Sequence, residues 1–128
     1  MASKRTTVLI VDDNDMMRSI LRSILRGNAY EVVGEARNGA VAIEMAERLK
    51  PQVICLDVMM PEKDGLEALP EIKTAHPAGE IVMITSNADP GTVQSSIENG
   101  ASGFIVKPFN AAKVLDTLEK IRTRRAAR

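Results

Sequence analysis

Short apolar runs alternate with longer stretches of helical spacing along the whole chain. The runs are Val8 to Val11, Val32 to Val33 with Ala36, Val53 to Leu56, Ile81 to Ile84, and Phe104 to Val106. They are too short for helices, and several are apolar at every position, as strands buried on both faces are. Between them, Met16/Met17, Ile20/Leu21 and Ile24/Leu25 recur at three to four residues and stop at Gly27, and Val41, Ala42, Met45, Ala46 and Leu49 do the same before Pro51. A fourth helix is punctuated by Asp89 as N-cap, Pro90 at the first helical position, Val93 and Ile97 on one face, and Gly100 at the exit. The last helix starts near Asn110 and has Val114, Leu118 and Ile121 on its buried stripe. The third, from Leu66 to Ala75, is expected to kink or start late, because Pro70 in its interior removes a hydrogen bond. Five strands alternating with five helices predict an α/β fold, a doubly wound parallel sheet covered on both faces.

Composition narrows the functions open to such a fold. At 128 residues the chain is one domain, and 45% hydrophobic residues suffice for a core. Its only aromatics are Tyr30, Phe104 and Phe109, so it lacks the stacking platforms of single-strand nucleic-acid binders. Seventeen basic residues balance seventeen acidic ones, so no overall field draws it to nucleic acid or an anionic membrane. A lone cysteine, Cys55, in an apolar run reads as a small hydrophobe in a reducing, cytoplasmic setting. With one His and one Cys, no thiolate or imidazole metal cluster can be assembled, so any metal takes oxygen ligands. The N-terminal apolar stretch is too short for a signal peptide, and no run approaches a membrane span. Residues 1–5 read as an N-terminal extension, 6–121 as the domain and 122–128 as a basic tail with four arginines, whose charge complements a helix C-terminus.

In an open parallel sheet the ligand site lies beyond the carboxyl ends of the strands. Asp12 and Asp13 follow the first strand, Asp57 ends the third, Thr85 and Ser86 follow the fourth, and Lys107 with Pro108 follows the fifth. Singly, each has a structural explanation: acids start helices, hydroxyls cap turns, and lysines are solvated. Together they place three carboxylates, a hydroxyl and an ammonium at one edge. Carboxylates a few ångströms apart repel by ~3 kcal/mol per pair at an effective dielectric near 20. Lys107 offsets part of this, and an oxygen-only cluster favours a hard divalent cation, Mg²⁺ first and Mn²⁺ second. A carboxylate beside such an ion can attack phosphorus to give an aspartyl-phosphate.

The segments Leu9-Ile-Val-Asp-Asp13, Leu56-Asp-Val-Met-Met-Pro61 with Asp64-Gly65, Ile84-Thr85, and Gly100-Ala-Ser-Gly-Phe-Ile-Val-Lys-Pro-Phe109 resemble the receiver domain of two-component response regulators, in particular the single-domain CheY-like type. The likeness runs from about Thr6 to about Ile121. It implies a flavodoxin-like sheet of strand order 2-1-3-4-5. It further implies that Asp57 is the phosphoacceptor, charged by a histidine kinase or a histidine phosphotransfer protein. Asp12, Asp13, Asp57 and the backbone carbonyl of Met59 then hold Mg²⁺. Lys107 pairs first with the aspartate and then with the phosphoryl group, and its bond to Pro108 resembles one that is cis in the family. Thr85 is the switch hydroxyl and Phe104 the switch aromatic. The output is a shift of the face built from the fourth helix, fifth strand and fifth helix, read by a downstream target protein. The expected molecule is a monomer, with phosphorylation-dependent dimerisation as a variation, and it contacts neither nucleic acid nor membrane. It is a signalling phosphoacceptor that catalyses only its own phosphotransfer and slow autodephosphorylation.

Three features depart from the CheY pattern. Phe104 replaces the usual Tyr; Met59 offers no side-chain acid or amide to steer hydrolytic water, whereas Asn87 could; and Pro70 is atypical for the third helix. A phosphohydrolase of the haloacid dehalogenase type would need a second Asp where Met59 stands. A flavin-binding loop would be repelled by Asp12-Asp13-Asn14-Asp15. The remaining alternative is the receiver piece of a longer transcription-type regulator, against which the initiating methionine and short tail favour a stand-alone protein.

Overall fold

The computed structural model describes residues 5–86 and 89–127. The elements follow in strict alternation: β1 (Thr6–Val11), α1 (Asp15–Arg26), β2 (Tyr30–Ala36), α2 (Gly39–Leu49), β3 (Val53–Asp57), α3 (Gly65–Ala75), β4 (Glu80–Thr85), α4 (Pro90–Glu98), β5 (Gly103–Val106) and α5 (Ala111–Ala126). The five strands are parallel, in the order β2-β1-β3-β4-β5. The order reverses at β1, so β1 and β3 are neighbours whose connections leave toward opposite faces. That opens a crevice at their carboxyl ends.

Two cores flank the sheet, and the two-residue period of each strand feeds them alternately. Leu9, Val11, Ile54, Leu56, Ile81 and Met83 point to one side, against Ala42 and Ala46 of α2 and Ala68, Leu69 and Ile72 of α3. Val8, Ile10, Val53, Cys55, Val82 and Ile84 point to the other, against Leu21 and Leu25 of α1 and Val114, Leu118 and Ile121 of α5. Burial on both faces is why these strands read as unbroken apolar runs.

The helices depart from the sequence reading in instructive ways. α3 runs uninterrupted through Pro70. A reciprocal capping box, Asp64 with Glu67, secures its first turn; the buried Ala68, Leu69 and Ile72 hold it to the sheet; and the proline ring lies on the exposed side. α1 buries Leu21 and Leu25 but leaves Met16 at 70% and Ile20 at 41% exposure, so its apolar stripe is wider than its contact. In α4, Asp89 caps and Pro90 starts the helix, yet Ile97 is 63% exposed while Ser96 is buried with its hydroxyl donating to the Thr92 carbonyl at 2.8 Å. The small, internally satisfied serine is the side chain that α4 buries. α4 ends at the cap Asn99, followed by Gly100 with a φ of +101°. α5 continues through Ala126, where Arg124 donates to the Ser102 carbonyl and Arg125 to the Ala78 carbonyl.

Candidate functional site

The carboxyl ends of β1, β3 and β5 bring together residues far apart in sequence. Asp12 follows β1, and its N–H donates to the Ala36 carbonyl at 3.0 Å, so the strand pairing carries on into the loop. Its carboxylate is buried: Oδ1 accepts from the Asn14 N–H at 2.9 Å and Oδ2 from the Lys107 ammonium at 3.1 Å. Asn14 caps α1 by accepting from the Met17 N–H, which sets the turn that carries Asp13. Arg18, one turn into α1, donates to the Asp12 carbonyl at 2.7 Å.

Asp57, the last residue of β3, is 3% exposed. Behind it the Val58 N–H donates to the Ile84 carbonyl, and the Gly65 N–H donates to the Val58 carbonyl. A Cβ on Gly65 would sit 2.2 Å from the Asp57 carbonyl oxygen, so only glycine lets α3 start this close to the acidic residue.

Lys107 reaches in from the end of β5. Its N–H donates to the Thr85 carbonyl at 2.7 Å, its peptide bond to Pro108 is cis, and its Nζ lies 3.3 Å from Asp57 Oδ1 as well as 3.1 Å from Asp12. Asp12, Asp13 and Asp57 each offer a carboxylate oxygen within 4.8 Å of the others. Three carboxylates against one ammonium leave two negative charges. Burial pushes the Asp57 carboxyl up to about 6; repulsion from Asp12 adds to the rise, and Lys107 with the Met59 N–H pulls against it. Burial opposes the charged form of Lys107, but Asp57 and Asp12 outweigh it and hold the ammonium above its usual range. A cluster of hard oxygen donors with this surplus charge fits a divalent cation such as Mg²⁺.

Thr85 ends β4 fully buried, on the same face of the sheet as Met83. Phe104 pairs in register with Met83, packs half-buried against the core under α3, and lines a surface hollow between β5 and α5 with Lys113, Thr117 and Lys120. Met59 carries an exposed side chain, and Asn87 lies outside the described residues. Cys55 is buried and its thiol is pushed up to about 12 by burial, which makes it an inert core residue. Sequence reading missed Arg18 as a support of this edge, and it picked out Asp64-Gly65 as part of the resemblance without giving either residue a role. The Asp64-x-x-Glu67 spacing is a capping-box signal; Arg18 shows locally only an i,i+3 spacing to Asp15, and its contacts with Asp12 and Glu35 come from other segments.

No helix among the described residues is long and apolar enough to cross a membrane. Residues 8–119 match the family described as the response regulator receiver domain. The chemotaxis protein CheY of Listeria monocytogenes is 43% identical over 113 residues, which are 88% of this chain and 95% of that protein. The response regulator domain of Thermotoga maritima CheB superposes with a TM-score of 0.83 at 35% identity, covering 93% of this chain and 95% of that one. A CheX–CheY complex with BeF₃ and Mg²⁺ from Borrelia burgdorferi gives 0.87 at 28% identity, over 90% of this chain and 87% of that one. An acidic crevice at the switch point of a 2-1-3-4-5 sheet, together with a match across nearly the whole sequence, shows that this chain is a CheY-like member of the response regulator receiver domain family.

Proposed function

We propose that the chain is a phosphorylation-dependent response regulator that takes a phosphoryl group on Asp57 from a phosphohistidine of a histidine kinase or histidine phosphotransfer protein. The observation that carries this is the placement of Asp57: a buried carboxylate, repelled by Asp12 and held 3.3 Å from Lys107. A carboxylate oxygen of Asp57 attacks phosphorus, the P–O bond forms as the P–N bond breaks, and the imidazole leaves as a neutral base. Asp12, Asp13, Asp57 and the Met59 carbonyl would hold Mg²⁺, with Mn²⁺ as the substitute. The ion, when bound, neutralises charge on the phosphoryl oxygens. Lys107 orients Asp57 before transfer and has its ammonium free to follow the charge onto the phosphoryl group afterwards.

Phosphorylation adds about 1.5 to 2 negative charges at the end of β3. Thr85 follows Ile84, the β4 residue paired with Asp57, and so is the hydroxyl we assign to receive them; Phe104 on the adjacent strand fills space on the same face. Inward movement of Thr85 draws Phe104 after it and reshapes the α4-β5-α5 face, where Ile97 and Val106 are exposed and available to a protein partner. The Phe104 ring has no hydroxyl, so a partner reads its position by shape alone. The CheX–CheY relative, captured with both a protein and Mg²⁺, supports a protein-binding output. Incubation with a phosphohistidine-bearing kinase from the same genome tests this reading: label moves to the parent chain and not to Asp57→Asn.

A further inference from the structure

Among the described residues no hydrogen bond holds the Asp13 carboxylate, which is the exposed member of the acidic trio. Its direction is therefore set by the main chain that carries it. Two hydrogen bonds flank that residue: the Asn14 N–H onto Asp12 Oδ1, and the Arg18 guanidinium onto the Asp12 carbonyl at 2.7 Å. Arg18 is itself locked. Its side chain is only 12% exposed, its Nε donates to Glu35 Oε1 of β2 at 3.3 Å, and its Nη2 pairs with Asp15 in the first turn of α1. Glu35 is held in turn by Arg22 through its other oxygen.

We propose that Arg18, locked by Glu35, is a positioning residue for the divalent-cation site: it fixes the peptide linking Asp12 to Asp13 and so aims the Asp13 carboxylate into the cluster. This rests on the reading of that cluster as a cation site. The residue type fits the task. One planar fork serves three acceptors on three segments, the end of β1, the start of α1 and the end of β2, whereas a lysine has a single nitrogen to offer. The two carboxylates on the guanidinium also offset its charge, so it stands close to the site at little electrostatic cost to a dication.

The sign of the effect separates positioning from simple charge. Removing a cation beside an acidic site strengthens Mg²⁺ binding by Coulomb's law; removing a positioning group weakens it. Supporting residues behind metal ligands are worth about 10- to 100-fold in affinity.

Isothermal titration of the full chain with MgCl₂ decides between the two. Arg18→Gln and Arg18→Lys are expected to raise the Mg²⁺ Kd about tenfold or more, and Glu35→Gln to raise it by a smaller factor. The Mg²⁺ concentration for half-maximal phosphorylation by acetyl phosphate rises in step, while the rate at saturating Mg²⁺ changes far less. Circular dichroism melts in EDTA report folding, and if Arg18→Gln does not fold, Arg18→Lys and Glu35→Gln carry the comparison. A Kd within twofold of the parent, or a lower one, in the folded Arg18 variants overturns the inference, even if their melting temperature drops. Asp13→Asn is the control: if it binds Mg²⁺ as tightly as the parent, the cation site itself is misassigned. If it loses binding while the Arg18 variants keep it, positioning alone fails.

Discussion

The Lys107 ammonium lies 3.3 Å from the Asp57 carboxylate and bridges it to Asp12, so that among the described residues one cation serves two buried acids. Such an arrangement is electrostatically short of positive charge.

Asp57 lowers the stability of the metal-free protein at neutral pH. Its carboxyl titrates at about 6 in the folded chain against an ordinary 3.8. Between those values the folded chain holds a proton that the unfolded chain has released, so this contribution to stability is present at low pH and is lost as pH rises through about 4 to 6. At pH 7 in EDTA, Asp57→Asn is expected to be more stable than the parent by about 1–2 kcal/mol, allowing for screening where the pocket opens at Asp13. Urea melts at pH 7 and pH 4.5 check this, and the advantage should shrink at the lower pH.

Mg²⁺ affinity carries the same signature. A protonated Asp57 cannot serve as a ligand, so affinity should fall by up to about tenfold per pH unit below about 6 and level off above it. Titrations at pH 5, 6, 7 and 8 check the profile. A flat profile would show that Asp57 takes no part in binding.

Lys107→Met leaves Asp12 and Asp57 facing each other without their cation. Breaking a buried pair on one side costs about 3–5 kcal/mol, reduced here because Lys107 remains in part open to solvent. We expect a loss of at least about 1 kcal/mol in EDTA, partly recovered on adding Mg²⁺, and a phosphorylation rate lowered about 100-fold or more. Thermal melts and acetyl phosphate kinetics measure the two effects.

Gly65→Ala probes the seat of Asp57, the proposed phosphoacceptor. The new methyl meets the Asp57 carbonyl at 2.2 Å, and both neighbours are backbone, so α3 must retreat from β3. A cost of at least about 2 kcal/mol is expected, together with slower phosphorylation, because Asp57 moves with its own carbonyl. Gly27→Ala, where no atom lies within 4 Å of the added carbon, is the control and should change little.

The aspartyl-phosphate should persist. Met59 presents a thioether where an acid or amide would orient attacking water, so self-dephosphorylation is expected to be slow to moderate. Following intact mass after acetyl phosphate is removed gives the lifetime; loss within seconds at neutral pH would contradict it.

How much of this was legible in the sequence follows from what each feature depends on. The strands were legible because burial on both faces writes itself as unbroken apolar runs such as Val53 to Leu56. The acidic residues and Lys107 were legible because a parallel sheet collects its strand ends on one edge. Helix faces were less so: Met16, Ile20 and Ile97 carry the right spacing, yet stay exposed while α1 buries Leu21 and Leu25 and α4 buries Ser96. Pro70 misled because a local rule was outweighed by a capping box and a buried stripe on the opposite side of α3. Arg18 was legible only as an i,i+3 partner of Asp15 on its own helix; its contacts with the Asp12 carbonyl and with Glu35 of β2 arise only in the fold.

The central claim is that Asp57 is the residue phosphorylated and that a divalent cation is needed for it. Intact mass after incubation with acetyl phosphate tests both. The parent chain should gain one phosphoryl group with Mg²⁺ and none in EDTA, and Asp57→Asn should gain none in either. Modification of Asp57→Asn as readily as the parent, or equal modification of the parent in EDTA, would contradict the account.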